Sequence, residues 1–402
     1  METQPLNGVR VLDFTRVLAG PFATMILGDL GAQVVKVEPP GGDESREWPP
    51  FLPTGGSGYY MALNRNKRSV TLNLKDARAR RIVRELAQTS DIVVENFTPG
   101  VVRKLGVDYD TLKQDNPGLI YCSISGFGQY GTYRNKKAYD PIIQGMTGLM
   151  SITGERGRSP VKVGIPITDI LAALYAVTAI QAAYVNRLQR GTGQYIDVAL
   201  YDSMISTLTI MATEYFATGK SPERWGMDHV HRVPARAFPA RDGKYVQVAA
   251  TNDVMYPRFC RALGVESLID DPRFATNSDR LKHRDEIMPI LERKMLEKDS
   301  SEWLEIFEAA GLPCGPVLDM EQVFSDPNIA DREMVFELDH PVSGKVKYLG
   351  FPYKFSATPA GVSLRPPQLG EHNKDIIVKM LGYTEDEYRE LREGGAIGKA
   401  TS

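Results

Sequence analysis

Strand and helix alternate from the first residues onward, and that alternation leaves the chain few folds to choose from. VRVLDF (9–14) reads as a strand, PFATMILGDLG (21–31) as a helix opened by proline and closed by glycine, and QVVKVE (33–38) as the next strand. The pattern returns with an amphipathic helix over 76–90, a strand DIVVENF (91–97), a helix over 101–114 and a strand LIYCSISGFG (119–128). Connections of this kind imply a parallel, doubly wound sheet in an α/β, Rossmann-like domain. A ligand of such a sheet lies at the carboxyl ends of its strands, which directs attention to the loops at 16–20, 38–42, 96–100 and 125–128.

The second half changes character. Long helical stretches over 169–187 and 201–217 give way to SPERWGMDHVHRVPARAF (221–238), a polar, proline-interrupted run. A strand over 242–250 and helices over 254–263, 284–296 and 301–311 follow, so the sequence divides into a large domain over 1–221 and a smaller α/β domain over 222–334. The tail over 335–402, with a strand at 344–350 and helices at 374–381 and 384–393, is expected to return to the first domain or to cap a partner. GKATS (398–402) reads as an unstructured end.

Charge and cysteine content exclude several functions. A net charge of −2 over 402 residues provides no global attraction to nucleic acid or to an anionic membrane, so a phosphorylated ligand needs a local basic patch. Cys122, Cys260 and Cys314 have no CxxC spacing, which argues against a disulfide framework and a zinc site. His229 and His231 sit two apart without a third ligand at recognisable spacing, so no metal is expected. METQPLNGVR lacks an apolar core and no run approaches eighteen apolar residues, so a membrane span is not expected and the protein is placed in the cytoplasm.

One acid stands at a revealing junction. In VGIPITDILAALYA (163–176) an extended, proline-bounded segment runs into an apolar helix, and Asp169 falls where the N-cap is expected. Backbone N–H groups and the helix dipole there favour the ionised carboxylate, a candidate nucleophile or base; an ordinary cap is the plain alternative. Phosphate recognition lacks the GxGxxG and GxxxxGKS fingerprints. Instead, small residues at LAGP (18–21) open the first helix. The run NRNKRS (64–69) with Lys75, Arg103, Lys104, Lys136 and Lys137 places cations near several strand ends, a set suited to the phosphates of coenzyme A.

VLDFTRVLAGPFATMILGDLGAQVVKVE, NRNKRS, ENFTPG, SGFGQYG, KAYDPIIQ, VGIPITDI, GLPCGPV and PPQLGEH, in this order from residue 9 to residue 372, resemble the class III CoA-transferases, the group of formyl-CoA and carnitine CoA-transferases. The resemblance implies two Rossmann-like chains interlocked as a dimer, acyl-CoA and a free carboxylic acid as substrates, and no cofactor beyond coenzyme A. It implies that Asp169 becomes acylated and that CoA is met by Val17, Leu18, Ala19, Gly20, Leu72, Lys75, Asn96, Phe97, Thr98, Lys104, Lys137, Ala138, Tyr139 and Asp140.

Leu18, Pro39 and GMDHVHR (226–232) stand where formyl-CoA transferase carries glutamine, arginine and a glycine loop. These departures point away from a formyl-CoA:oxalate enzyme. TRVLAGPFATM, NRNK and RWG with His229 are closer to the succinyl-CoA:dicarboxylate, glutarate-like branch, in which His229, Arg232 and Arg236 become candidates for the substrate carboxylate. Two alternatives share the fold. An α-methylacyl-CoA racemase or acyl-CoA isomerase needs a basic histidine where this chain has Tyr139, and a non-catalytic CoA-binding protein needs no Asp169.

Overall fold

The computed structural model describes residues 4–53 and 55–398, so residues 399–402 of the expected unstructured end lie outside the described part. Six strands form one parallel sheet: β1 (Arg10–Asp13), β2 (Gln33–Glu38), β3 (Lys67–Thr71), β4 (Ile92–Glu95), β5 (Ile120–Ser125) and β6 (Tyr195–Ala199), in the order β3-β2-β1-β4-β5-β6. Strand order reverses between β1 and β4, which opens a crevice at their carboxyl ends.

Helix α1 (Ala19–Asp29) carries Pro21 in its first turn, where a missing N–H is harmless, and is buried on nearly every side, as a core helix must be when it is apolar all round. After α2 (Gly58–Met61), α3 (Ala77–Gln88) buries Ala79, Ile82, Val83, Leu86 and Ala87, one helical stripe, with Asp76 as its N-cap. Short helices α4 (Val101–Leu105), α5 (Tyr109–Leu112), α6 (Asp140–Met146) and α7 (Leu149–Ile152) precede α8 (Ile167–Arg190). Helix α8 turns Thr168, Ala172, Ala173, Ala176, Val177, Ile180 and Ala183 inward, and these mostly small residues let it lie close to α1 and β5. By length and composition α8 would suffice to cross a membrane; its inward face belongs to the sheet's core. The helical stretch expected over 201–217 is two helices, α9 (Leu200–Thr207) and α10 (Thr209–Thr218).

The chain divides into two compact units, 1–149 with 162–213 and 330–402, and 150–161 with 214–329. The excursion 150–161, left by the sequence reading in the large domain, groups with the second unit. That unit contains an antiparallel sheet of β7 (Ala235–Pro239), β8 (Tyr245–Ala249) and β9 (Cys314–Pro316). Its helices include α11 (Met255–Leu263), α12 (Asn277–Lys282), α13 (Arg284–Met295) and α14 (Ser300–Ala309), around Phe238, Phe259, Trp303 and Phe307.

The tail belongs to the first unit. It contributes the hairpin β10 (Val335–His340) and β11 (Gly344–Leu349) and then runs along the outer edge of β3, where the Thr71 N–H donates to Asn373 Oδ1 at 2.8 Å and Leu72 bridges to Ile397. A sheet edge that would otherwise be open is thus covered.

Candidate active site

A cavity of ≈ 350 Å³ opens at the β1/β4 crevice. Its wall comes from residues 16–19 after β1, 96–99 after β4, 124–127 at the end of β5, and 136–139, with Glu44, Arg134, Leu200 and Asp169. The loops after β1 and β4 are tied together, because the Asn96 side chain accepts from the Arg16 N–H at 2.9 Å and donates to the Arg16 carbonyl at 2.8 Å. Gly126 is required by space: a Cβ there would lie 2.2 Å from Ala138 Cβ, so only glycine lets residue 138 close over the end of β5. Arg16, Arg134, Lys136 and Lys137, all exposed, give the rim its positive charge.

Asp169 is the third residue of α8, and Pro166 occupies the N-cap, which corrects the expected capping role. The cap is supplied from another helix. Asp140, buried at the start of α6, accepts from the Thr168 N–H and from Thr168 Oγ1, both at 2.9 Å, and from Gln144 Nε2 at 2.7 Å. Gln144 Oε1 in turn accepts from the Val163 N–H at 2.9 Å, anchoring the extended segment before α8. Among the described residues no hydrogen bond or ion pair engages the Asp169 carboxylate, and burial first, then the Asp140 charge, pushes its carboxyl up to about 7. Burial and the Asp140 charge thus oppose the ionised form that the expected cap position would favour.

The other expected contacts divide. Val17, Leu18, Ala19, Asn96, Phe97, Thr98, Lys137, Ala138 and Tyr139 line the cavity with Asp169. Gly20 lies behind it, packed so closely on Thr15 that a Cβ would come within 2.3 Å. Asp140 is turned to Thr168 and Gln144. Buried Leu72 and exposed Lys75 follow β3, and exposed Lys104 lies on α4; all three stand outside the lining, beyond the carboxyl ends of β3 and β4.

The run NRNKRS is largely buried, with Arg68 as its exposed cation. Asn64, Arg65, Asn66, Lys67 and Ser69 are buried, and Lys67 begins β3, 3.1 Å from Asp13; Arg65 holds Asp29 at 2.7 Å. These cations neutralise carboxylates of the same unit and have no charge to offer a ligand.

Tyr59 went unnoticed in the sequence. Burial, followed by the nearby charges of Asp169, Asp43 and Asp140, pushes its phenol up to about 12, which places it in the field of the candidate nucleophile. Nothing in the local pattern around residue 59 signals this, since its partners lie far along the chain.

In the second unit, Arg236 on β7 is engaged by Glu292 at 2.6 Å and Asp228 at 3.6 Å. His229 Nδ1 accepts from the His231 N–H at 3.1 Å, and Arg232 is exposed.

Comparison with known proteins bears on the chemistry. Residues 6–373 match CoA-transferase family III. The chain is 41% identical to the succinyl-CoA:glutarate CoA-transferase of Mus musculus, over 98% of this chain and 90% of the mouse protein. It is 39% identical to the succinate–glutarate CoA-transferase of Agrobacterium fabrum, over 94% of this chain and 96% of that one. A CAIB/BAIF family protein from Brucella suis superposes with a TM-score of 0.84 at 39% identity, covering 94% of this chain and all of that structure. A cavity walled by strand-end loops around one uncommitted carboxylate and a family match over nearly the whole length agree: this chain belongs to CoA-transferase family III and is an enzyme that transfers coenzyme A.

Proposed function

We propose that the enzyme takes CoA from succinyl-CoA and gives it to a dicarboxylic acid, with Asp169 as nucleophile. The observation that carries this reading is the uncommitted Asp169 carboxylate, titrating near neutrality, in a cavity with a cationic rim. The mouse and Agrobacterium relatives, named for succinate and glutarate, support the choice of acids.

Asp169 adds through one oxygen to the thioester carbonyl, and collapse expels CoA thiolate to leave a mixed anhydride. The thiolate adds to the Asp169 carbonyl and expels succinate, which carries away the attacking oxygen. The acceptor carboxylate then adds to the aspartyl-CoA thioester and releases the thiolate again. Attack of thiolate on the acceptor's carbonyl forms the new acyl-CoA and frees Asp169, which now contains one acceptor oxygen. Each tetrahedral intermediate needs oxyanion donors, and at the start of α1, where Pro21 has no N–H and Phe22 is bonded to the Leu18 carbonyl, the Ala19 and Gly20 N–H groups are the candidates. Lys137, Asn96, Phe97 and Thr98 hold the CoA moiety in this reading, and the exposed Lys75 and Lys104 meet its outlying phosphates.

Since Arg236 is already paired, Arg232 is the exposed arginine of its segment and the candidate there for a carboxylate. A screen of succinyl-CoA against mono- and dicarboxylates tests the substrate class: transfer to dicarboxylates of four to six carbons supports it, and preference for monocarboxylates contradicts it. Arg232→Gln should raise KM for the preferred dicarboxylate by about tenfold or more and leave its monocarboxylate analogue unchanged.

Self-association belongs to the same proposal. Leu174, Tyr175, Val185 and Leu188 on α8 and Ile205 and Ile210 on the following helices are exposed apolar residues, with Leu188 at 70% and Ile210 at 64%. A second, interlocked copy would cover side chains such as these.

A further inference from the structure

Four charged side chains with no use in the proposed chemistry lie buried beside the cavity. Asp13 ends β1, Lys36 lies on β2, Lys67 starts β3, and Asp43 follows β2; the first three are fully buried and Asp43 is 3% exposed. Lys36 Nζ is 3.0 Å from Asp43 Oδ2, and Lys67 Nζ is 3.1 Å from Asp13 Oδ2. Buried ion pairs are poor sources of net stability, because desolvation offsets the attraction, so their presence asks for another reason.

Their remaining hydrogen bonds supply it. Lys36 Nζ donates to the Thr15 carbonyl at 2.6 Å, Asp13 Oδ1 accepts from the Thr15 N–H at 2.8 Å, and Asp43 Oδ1 accepts from the Val17 N–H at 3.3 Å. Lys67 Nζ donates to the Pro21 carbonyl in the first turn of α1 at 3.0 Å. The turn grasped in this way is strained. Val17, a β-branched residue, has φ +67°, a conformation seldom held without a surrounding structure that enforces it. Val17, Leu18 and Ala19 also line the cavity with Asp169.

We propose that Lys36 and Asp43 are positioning residues for CoA transfer: they hold the turn over 15–18 so that the first amides of α1 face the oxyanion formed at Asp169. The inference rests on the nucleophilic role proposed for Asp169. It implies that cutting the link between Asp43 and Val17 slows the chemical step far more than it weakens CoA binding, to which the loops at 96–98 and 137–139 also contribute.

The test compares Asp43→Leu, which keeps the size and removes the acceptor of the Val17 N–H, with the double variant Lys36→Met/Asp43→Leu, which leaves no unpaired buried cation, and with Lys36→Arg. For each, thermal melting, Kd for CoA by calorimetry and kcat are measured, after the wild-type enzyme has been examined for an Asp169–CoA adduct. The expected result is a fall in kcat of about 100-fold with Kd for CoA within about threefold. Adding Val17→Gly, which relaxes the left-handed turn, should restore about tenfold of the loss in Asp43→Leu.

Folded variants with kcat near wild type overturn the inference. So does a parallel loss of CoA affinity and kcat without recovery by Val17→Gly, and so does failure of all three to fold, since each would make the network structural only. If wild-type Asp169 never acquires CoA, the proposed nucleophile fails instead, whatever these variants do.

Discussion

Asp140 and Asp169 divide between them what one acid at a helix start usually does alone. Asp140 reaches across from α6 to cap Thr168, and Asp169, one residue further on, keeps both oxygens for chemistry. Its carboxyl, pushed up to about 7 by burial and by Asp140, is protonated in most molecules below that pH, and only the ionised form can attack a thioester. We predict that kcat/KM rises with pH through an inflection near 7 and that Asp140→Asn moves the inflection to lower pH. A flat profile down to pH 5 would count against Asp169 as the titrating group.

Glu95, buried at the end of β4, behaves in a related way but serves the fold. Burial pushes it up to about 7, and one of its oxygens accepts from the Phe97 N–H at 2.7 Å. Because the folded state holds this proton more tightly than the unfolded one, stability declines as pH rises from the ordinary glutamate range to about 7 and stays low above it. Glu95→Gln keeps the acceptor and removes the titration. It should stabilise the protein at pH 8 by up to about 3 kcal/mol and hardly at all at pH 4.5, measured by denaturant unfolding.

At the scale of elements, the strands that alternate apolar residues were legible and the one built on charges was not. β1, β2, β4 and β5 announce themselves by local pattern, as do α1 and the amphipathic α3. β3 (KRSVT) begins in what reads as a basic run for phosphates, because the acids that let Lys67 be buried, Asp13 above all, lie on other strands and pair with it only after folding. β6 escaped for a different reason: YIDVA mixes exposed and buried positions at the margin of the sheet and carries an acid at its centre.

The tail's place along β3 was also beyond local pattern, since it depends on Asn373 matching the free backbone of Thr71. Removing that acceptor with Asn373→Ala leaves a buried N–H unpaired and should cost about 1–3 kcal/mol in chemical denaturation with kcat little changed. A stability equal to wild type would mean that the tail is held by its apolar contacts alone.

For the whole molecule, the loops at 16–20, 96–100 and 125–128 could be named from sequence because a doubly wound sheet permits few places for a ligand, whereas 38–42, named on the same ground, lies outside the cavity lining. What a single chain could not reveal in sequence is what meets its outer apolar faces. If a second copy does, sedimentation should show one species of twice 44.6 kDa down to nanomolar concentration, and an active monomer there would remove the interlocked dimer from the account.

The chemistry of the assembled enzyme reduces to whether CoA passes through Asp169. The direct measurement is mass analysis of the Asp169 peptide after quenching turnover of succinyl-CoA with an ¹⁸O-labelled acceptor acid. The account predicts a CoA thioester on that peptide, convertible to a hydroxamate by hydroxylamine, and ¹⁸O in both Asp169 and the succinate released in later turnovers. An Asp169 peptide that stays unmodified and unlabelled while product accumulates would contradict it.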